Sequence, residues 1–332
     1  MHRWLRSMMI GGALVAMVGC GSPTETGGTS GAATTTTGGA AATSAAGGSG
    51  AKILLSMKGP GGGNPFWAAV EQGAKDAAAA GGVELTVLAP PAETDVQTQI
   101  SQIEDQIAAG VQAIVVAPTD QQALNATFDS AKAKNIPVLF VDTDAPWEGK
   151  LTFIGTDNRA GGKLAGEHIC GQLKGSKKVA LITGVMSQQT HIDRIGGAKE
   201  ALEACGATIV SELPADSDRA KGQQVMEDIL TGNGDLEAVF ASNDLMALGA
   251  AEAAKASGKL ANIIIVGFDA NPDAAKSIQA GEMNASIAQS PSNMGKFGVE
   301  SALKAINGQT IEARIDTGTV VVTRDNAADY AK

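Results

Sequence analysis

The residues best placed to do chemistry in this chain are flat polar groups and aromatic rings that follow short apolar runs. Asn64-Pro65-Phe66-Trp67 closes a glycine-rich stretch after Ile53-Leu54-Leu55. Asp142 follows Val138–Val141, Asn243 follows Ala238-Val239-Phe240, Phe268-Asp269 ends the run that begins at Ile263, and Gln289 follows Ala285–Ala288. Arg194 lies at the start of a helical segment after Ile182-Thr183-Gly184. Carboxylates, amides and a guanidinium each offer two hydrogen-bonding positions in one plane, which suits a ligand with neighbouring hydroxyls. An aromatic face suits the C–H face of a ring-shaped polyol. Each residue alone has a plainer reading: Asp142 and Asp269 as helix caps, Phe268 as a core residue, Arg194 as a surface charge. Their common place after apolar runs favours a binding constellation over nine separate coincidences.

Sharper reactive motifs do not appear. The glycine run 59–63 lacks the Gly-Lys-Ser/Thr ending of a phosphate loop and the GxGxxG spacing of a dinucleotide site, and reads as a flexible entry to a helix. There is no G-x-S-x-G elbow and no His-Glu-x-x-His. His168 and His191 stand apart, with His168 an ordinary helix residue, and Asp216 and Asp218 do not continue into a calcium loop. No metal, cofactor or catalytic acid–base pair is expected, and the chain does not read as an enzyme.

The elements that must position these groups alternate regularly. Strand candidates are 53–55, 83–88, 114–116, 138–141, 179–182, 238–240 and 263–266, most of them short and continuously apolar, as in parallel sheets covered on both faces. Helical stripes lie between them: Val96, Ile100, Ile103 and Ile107, stopped by Gly110; Leu124, Phe128 and Ala131; Ile195, Ala198 and Leu202. This is the α/β pattern, and in open α/β sheets ligands bind outside the carboxyl ends of the strands. The chain also echoes itself. Ala117-Pro118-Thr119-Asp120 through Leu124 is matched by Ala241-Ser242-Asn243-Asp244 through Leu248, and Val141-Asp142-Thr143-Asp144-Ala145-Pro146 by Val266-Gly267-Phe268-Asp269-Ala270-Asn271-Pro272, at nearly the same separation. Two lobes of one plan are expected.

The N-terminus reads as a targeting segment. Arg3 and Arg6 precede an uncharged apolar stretch, 8–18, which ends in Val18-Gly19-Cys20. That is the layout of a secretory signal, with Cys20 placed for acylation in the manner of a bacterial lipobox. Residues 21–50 are almost all Gly, Thr, Ala and Ser with one charge, Glu25, too polar to bury their own surface. A lipid-anchored tether outside the cytoplasm is expected, in the periplasm or on the outer face of the cell membrane. The formal charge of −10, without basic runs, argues against nucleic acid. Cys170 and Cys205 form a disulfide or remain two small buried hydrophobes, a choice that geometry decides.

At these residues the chain resembles the periplasmic sugar-binding proteins of ABC importers, the ribose-binding type with the type I solute-binding fold. The resemblance runs from Lys52 to nearly the end. It is carried by Asn64-Pro65-Phe66-Trp67, Ala117-Pro118-Thr119-Asp120, Gly155-Thr156-Asp157-Asn158, Gly161-Gly162, Asn243-Asp244-Leu245-Met246-Ala247-Leu248-Gly249-Ala250, Val266-Gly267-Phe268-Asp269 and Ile287-Ala288-Gln289. It implies two similar doubly wound parallel-sheet lobes joined by three crossings, near Gly155, Gln289 and Thr317. The expected division is a signal peptide over 1–19, the lipidated Cys20 and tether over 20–51, a first lobe over 52–155 and 290–317, and a second over 156–289 and 318–332. The resemblance implies ligand contacts at Asn64, Phe66, Trp67, Asp142, Arg194, Asn243, Phe268, Asp269 and Gln289, with Phe66 and Trp67 stacking on the ligand. It also implies a monomer that works with an ABC permease and its ATPase. Three positions depart from the ribose pattern. Ala117 stands in place of an amide, Thr143 of an Arg, and Ser217 of an aromatic, so a different pentose, a hexose or a polyol is expected as much as ribose. The alternative is a sensor that presents a sugar-like signal to a membrane receptor or kinase.

Overall fold

The computed structural model describes residues 50–332. The signal, Cys20 and most of the tether lie outside the described residues. The continuously apolar runs pair into two six-stranded sheets of the same order. The first sheet contains β1 (Lys52–Ser56), β2 (Glu84–Leu88), β3 (Ala113–Val116), β4 (Val138–Val141), β5 (Phe153–Gly155) and β11 (Arg314–Asp316), ordered β2-β1-β3-β4-β5-β11 and wholly parallel. The second contains β6 (Lys178–Thr183), β7 (Thr208–Pro214), β8 (Ala238–Ala241), β9 (Ile264–Asp269), β10 (Ala285–Ala288) and β12 (Val320–Val322), ordered β7-β6-β8-β9-β10-β12. Its strands are parallel except β12, which runs antiparallel to β10.

The helices are α1 (Pro65–Gly81), α2 (Val96–Ala108), α3 (Asn125–Ala133), α4 (Asn158–Cys170), α5 (Gln189–Ala204), α6 (Arg219–Gly232), α7 (Asp244–Ala256), α8 (Pro272–Ala280) and α9 (Pro291–Ile306). They cover both faces of each sheet. Val70 and Ala74 of α1 and Val299 and Ala302 of α9 pack on one face of the first sheet, and Ile103, Ile107 and Phe128 on the other. Burial on both sides is why strands such as Ala-Ile-Val-Val at β3 need no polar alternation. The chain passes between the sheets three times: from β5 into α4, from β10 into α9, and from β11 into β12.

Two features set up the site. α4 and α5 approach closely because Gly162 sits against the Arg194 carbonyl and Gly197 against that of Arg159, and any Cβ there would collide with backbone. This fixes the turn of α5 that carries Arg194. Cys170, the last residue of α4, and Cys205, just beyond α5, form a disulfide across the same helix pair.

Candidate functional site

In the first sheet, β1 leads through Lys58 and the glycine run to Asn64, which caps α1. The Asn64 Oδ1 accepts from the Phe66 N–H at 3.1 Å. The cap uses the amide oxygen and leaves the amide N–H₂ to donate elsewhere. Phe66 and Trp67 follow in edge-to-face contact, their centroids 5.0 Å apart. The Trp67 indole N–H donates to Glu93 Oε1 at 3.2 Å from the loop after β2. Asp142 follows β4 directly, a non-glycine residue at φ 59° that breaks the extended line of the strand. Asp142 is buried and paired with buried Lys58 at 3.1 Å, and it accepts from the Thr143 hydroxyl at 2.7 Å.

The second sheet repeats much of this. Asn243 caps α7, its Oδ1 accepting from the Met246 N–H at 3.1 Å. β9 ends in Asp269 at φ 115°. The Arg194 Nε donates to Asn158 Oδ1 and its Nη1 to the Ser242 carbonyl, both at 2.9 Å, with Asp269 Oδ1 at 3.5 Å. Gln289 donates to the same Asp269 oxygen at 2.7 Å. His191 is fully enclosed, its Nδ1 2.9 Å from the Ser242 hydroxyl and its Nε2 3.1 Å from that of Ser217.

The two sets face one small cavity. The first side contributes Lys58, Asn64, Phe66, Trp67, Glu93 and Asp142, and the second Thr190, His191, Arg194, Ser217, Asn243 and Asp269. The rims touch across it. The Thr143 and Thr190 hydroxyls are 2.7 Å apart, Lys58 donates to Gln188 Oε1 at 2.9 Å, Gln188 Nε2 donates to the Glu93 carbonyl at 3.3 Å, and the Gln121 N–H donates to the Ser187 carbonyl at 3.1 Å. A larger cavity, around Asp144, Asp157 and Asp193, shares only Thr190 with it.

Burial shapes the charges. It pushes Asp269 up to about 7, with Asp142 and Glu93 adding to the shift and Arg194 and Gln289 opposing it. It holds Asp244 well above the usual carboxylate range, with Asp269 adding to the shift. It pushes His191 down to about 4, helped by Lys58 and Arg194 and opposed by Glu93. Burial also opposes ionisation of Glu93, but Lys58, His191 and the Trp67 indole outweigh it and hold this carboxyl well below its ordinary value.

All the residues expected from the sequence line the cavity except two. Phe268 is fully buried, and its ring carries the Arg194 guanidinium, 3.8 Å above the centroid. Its plainer reading as a core residue is therefore the one the packing shows. Gln289 lies behind Asp269 and orients it. The plainer readings fail for the others singled out: neither Asp142 nor Asp269 caps a helix, and Arg194 is buried in the second turn of α5. Sequence reasoning missed Lys58, Glu93, Thr190 and His191. Glu93 was within reach of the strand-end rule, since it follows the 83–88 run across Pro90 and Pro91. Of the three departures, Thr143 bridges Asp142 and Thr190, Ser217 meets His191, and the Ala117 carbonyl accepts from Gln99. Among the described residues there is no group of side chains able to hold a metal ion, and no helix is long and apolar enough to cross a membrane.

A family model described as periplasmic binding protein domain matches residues 55–310. The ribose import binding protein RbsB of Haemophilus influenzae is 36% identical over 260 residues, covering 78% of this chain and 88% of that protein. Among solved structures, a periplasmic solute-binding protein of Actinobacillus succinogenes with bound D-allose superposes with a TM-score of 0.78 at 29% identity, covering 84% of this chain and 100% of that one. A carbohydrate transporter solute-binding protein of Agrobacterium radiobacter, in complex with D-arabinose, gives 0.79 at 30% identity, covering 83% and 95%. The chain belongs to the periplasmic binding protein family, type I, in its ribose-binding branch. It is a solute-binding protein of the ABC-transporter kind and not an enzyme.

Proposed function

We propose that this protein captures a neutral monosaccharide or related polyol between its two sheets and presents it to an ABC permease and its ATPase. The observation that carries this reading is the single cavity bounded from both sheet ends by Asn64, Asp142, Arg194, Asn243 and Asp269, with Phe66 and Trp67 as its apolar wall. Carboxylates accept hydroxyl hydrogens, amides and guanidinium donate to hydroxyl oxygens, and the rings pack on C–H groups. The named ligands of the relatives, D-allose and D-arabinose among them, support it.

On this reading the first lobe comprises 52–155 and 290–317 and the second 156–289 and 318–332, moving as two bodies about the crossings near Gly155, Gln289 and Thr317. A ligand touching both lobes binds the closed form better than the open one and so shifts the population towards it, and closure is the signal the permease reads. The protein works as a monomer, exported and tethered through acylated Cys20. Replacing Cys20 with Ala releases it from the membrane fraction if the tether is a lipid. Titration calorimetry against D-ribose, D-allose, D-arabinose, D-fucose, D-tagatose, myo-inositol and glycerol tests ligand capture. Saturable heat with at least one member is expected, and no heat with any of them overturns the proposal.

A further inference from the structure

One charged group at the cavity is only half engaged by the contacts above. Glu93 stands in the loop between β2 and α2, with its side chain 11% exposed. Its Oε1 is taken by the Trp67 indole, while its Oε2 is shut off from solvent and has no hydrogen-bond partner. The nearest basic side chain, His191 with its Nε2 3.9 Å away, is already 3.1 Å from the Ser217 hydroxyl. Lys58 is held by Asp142 and Gln188, so turning it towards Oε2 would break a buried ion pair. An ionised carboxylate oxygen left unpaired in a closed space is costly, and it is tolerated where something outside the chain completes it. Glu93 lines the same cavity as Asp142 and Asp269.

Resting on the reading of this cavity as a polyol site, we infer that Glu93 is a third ligand-binding carboxylate, accepting a hydroxyl hydrogen of a neutral ligand, with Lys58 and His191 as positioning residues. The donor is a hydroxyl and not an ammonium because Lys58 and Arg194 are fixed cations in the same walls. Lys58 already compensates the Glu93 charge, and a cationic ligand would meet both. The ligand therefore presents separate hydroxyls to Glu93, Asp142 and Asp269, which selects a ring carrying hydroxyls on several sides over a short diol.

The test compares wild type with Glu93→Gln, which keeps the shape and an acceptor for the Trp67 indole. Both are titrated with the tightest binder of the sugar and polyol panel and with its series of mono-deoxy analogues. Glu93→Gln is expected to weaken the parent roughly ten- to hundredfold, the range of one charge-assisted hydrogen bond. One deoxy analogue should lose a similar factor in wild type and less than about twofold more in the variant. If Glu93 served only to hold Trp67, all analogues would weaken alike in the variant, and that result overturns the inference. So does a variant that binds the parent within about twofold, or an amino-deoxy analogue that binds wild type more tightly than the parent. A crystal structure of wild type with the same ligand gives a check that needs no variant: a hydroxyl oxygen is expected within hydrogen-bond reach of Oε2, and a carbon there overturns the assignment. A wild type that binds no panel member sinks both this inference and the reading beneath it. A wild type that binds, with Glu93→Gln unaffected, sinks the inference alone.

Discussion

The carboxyl ends of the two sheets follow one plan with different finishes. Each sets an aspartate at positive φ at the carboxyl end of a strand, Asp142 at 59° just after β4 and Asp269 at 115° as the last residue of β9. Each sets a cation beside it, Lys58 at 3.1 Å and Arg194 at 3.5 Å. Each places that cation over a ring, Lys58 5.7 Å from the Trp67 centroid and Arg194 3.8 Å from that of Phe268, and each caps a helix with an asparagine. The difference lies in what faces the cavity. On the first side the rings of Phe66 and Trp67 form its wall, and Lys58 reaches across to Gln188. On the second side the ring is sealed beneath Arg194, whose hydrogen bonds stay within its own half, to Asn158, Ser242 and Asp269. One half supplies an apolar face and a contact that crosses, the other a rigid donor.

The largest expected effect tests the sturdier of the two ion pairs. Asp142→Ala removes a charged acceptor and leaves Lys58, 4% exposed, buried without its counter-charge. Ligand affinity should fall by at least about a hundredfold, and stability to urea by about 3–5 kcal/mol, the cost of breaking a buried pair from one side. Affinity unchanged in this variant would show that the two aspartates are not equivalent and that the site lies elsewhere.

Next comes the electrostatic difference. Asp269 is pushed up to about 7, mainly by burial. A ligand hydroxyl that donates to the ionised form releases a proton on binding. Affinity should therefore rise about tenfold from pH 6 to pH 8 and level off above that, measured by calorimetry in buffers of different ionisation enthalpy. Asp269→Asn should abolish the slope. The stability sign runs the other way. The folded value lies above the unfolded one, so the protein loses this share of its stability as pH rises from the ordinary carboxylate range through about 7. Asp269→Asn should match wild type in acid and exceed it at pH 8, whereas Asp142→Asn should be less stable than wild type at pH 8. If both variants lose stability alike there, the contrast between the two ends fails.

The parts legible in the sequence are those that depend on local pattern. Strands β1, β3, β4, β6, β8 and β9 showed as apolar runs because both of their faces are covered. Strands β7, β11 and β12 did not, because exposed or half-exposed polar residues such as Glu212 and Arg314 interrupt the first two of these edges and β12 is very short, whereas the fourth edge, β2, showed through Leu85, Val87 and Leu88. The internal echo holds for the sheet order but not for helix caps. Asn243 caps α7 directly, whereas Asp120 accepts from the N–H groups of Gln122 and Ala123 in a turn, and α3 begins only at Asn125. The strand-end rule located Asp142 and Asp269. It could not show which ring faces the cavity, although Phe268 and Asp269 are consecutive on β9 and so point to opposite sides. Lys58, Glu93 and His191 were hidden because their partners are far away in sequence: Gln188 lies 130 residues from Lys58, and Ser242 lies 51 from His191.

The smallest expected effect tests the crossing contact itself. Gln188 is fully buried, receives the Lys58 ammonium and donates to the Glu93 carbonyl, so on the proposed reading it joins the halves only when they are shut. In an open form these groups would exchange each other for water, a near-balanced trade that favours closure slightly. Gln188→Ala should therefore lower ligand affinity about three- to tenfold by taxing the closed population. Urea stability of the unliganded protein should stay within about 1 kcal/mol of wild type, because Lys58 keeps Asp142. Small-angle scattering should show the liganded variant as compact as liganded wild type. The matching change on the other side, Arg194→Lys, removes bonds internal to one half and the flat contact with Phe268, so it should lower stability and affinity together. If Gln188→Ala instead behaved like Arg194→Lys, the Lys58–Gln188 contact would be part of a fixed core, and the asymmetry between a crossing cation and an internal one would have no bearing on closure.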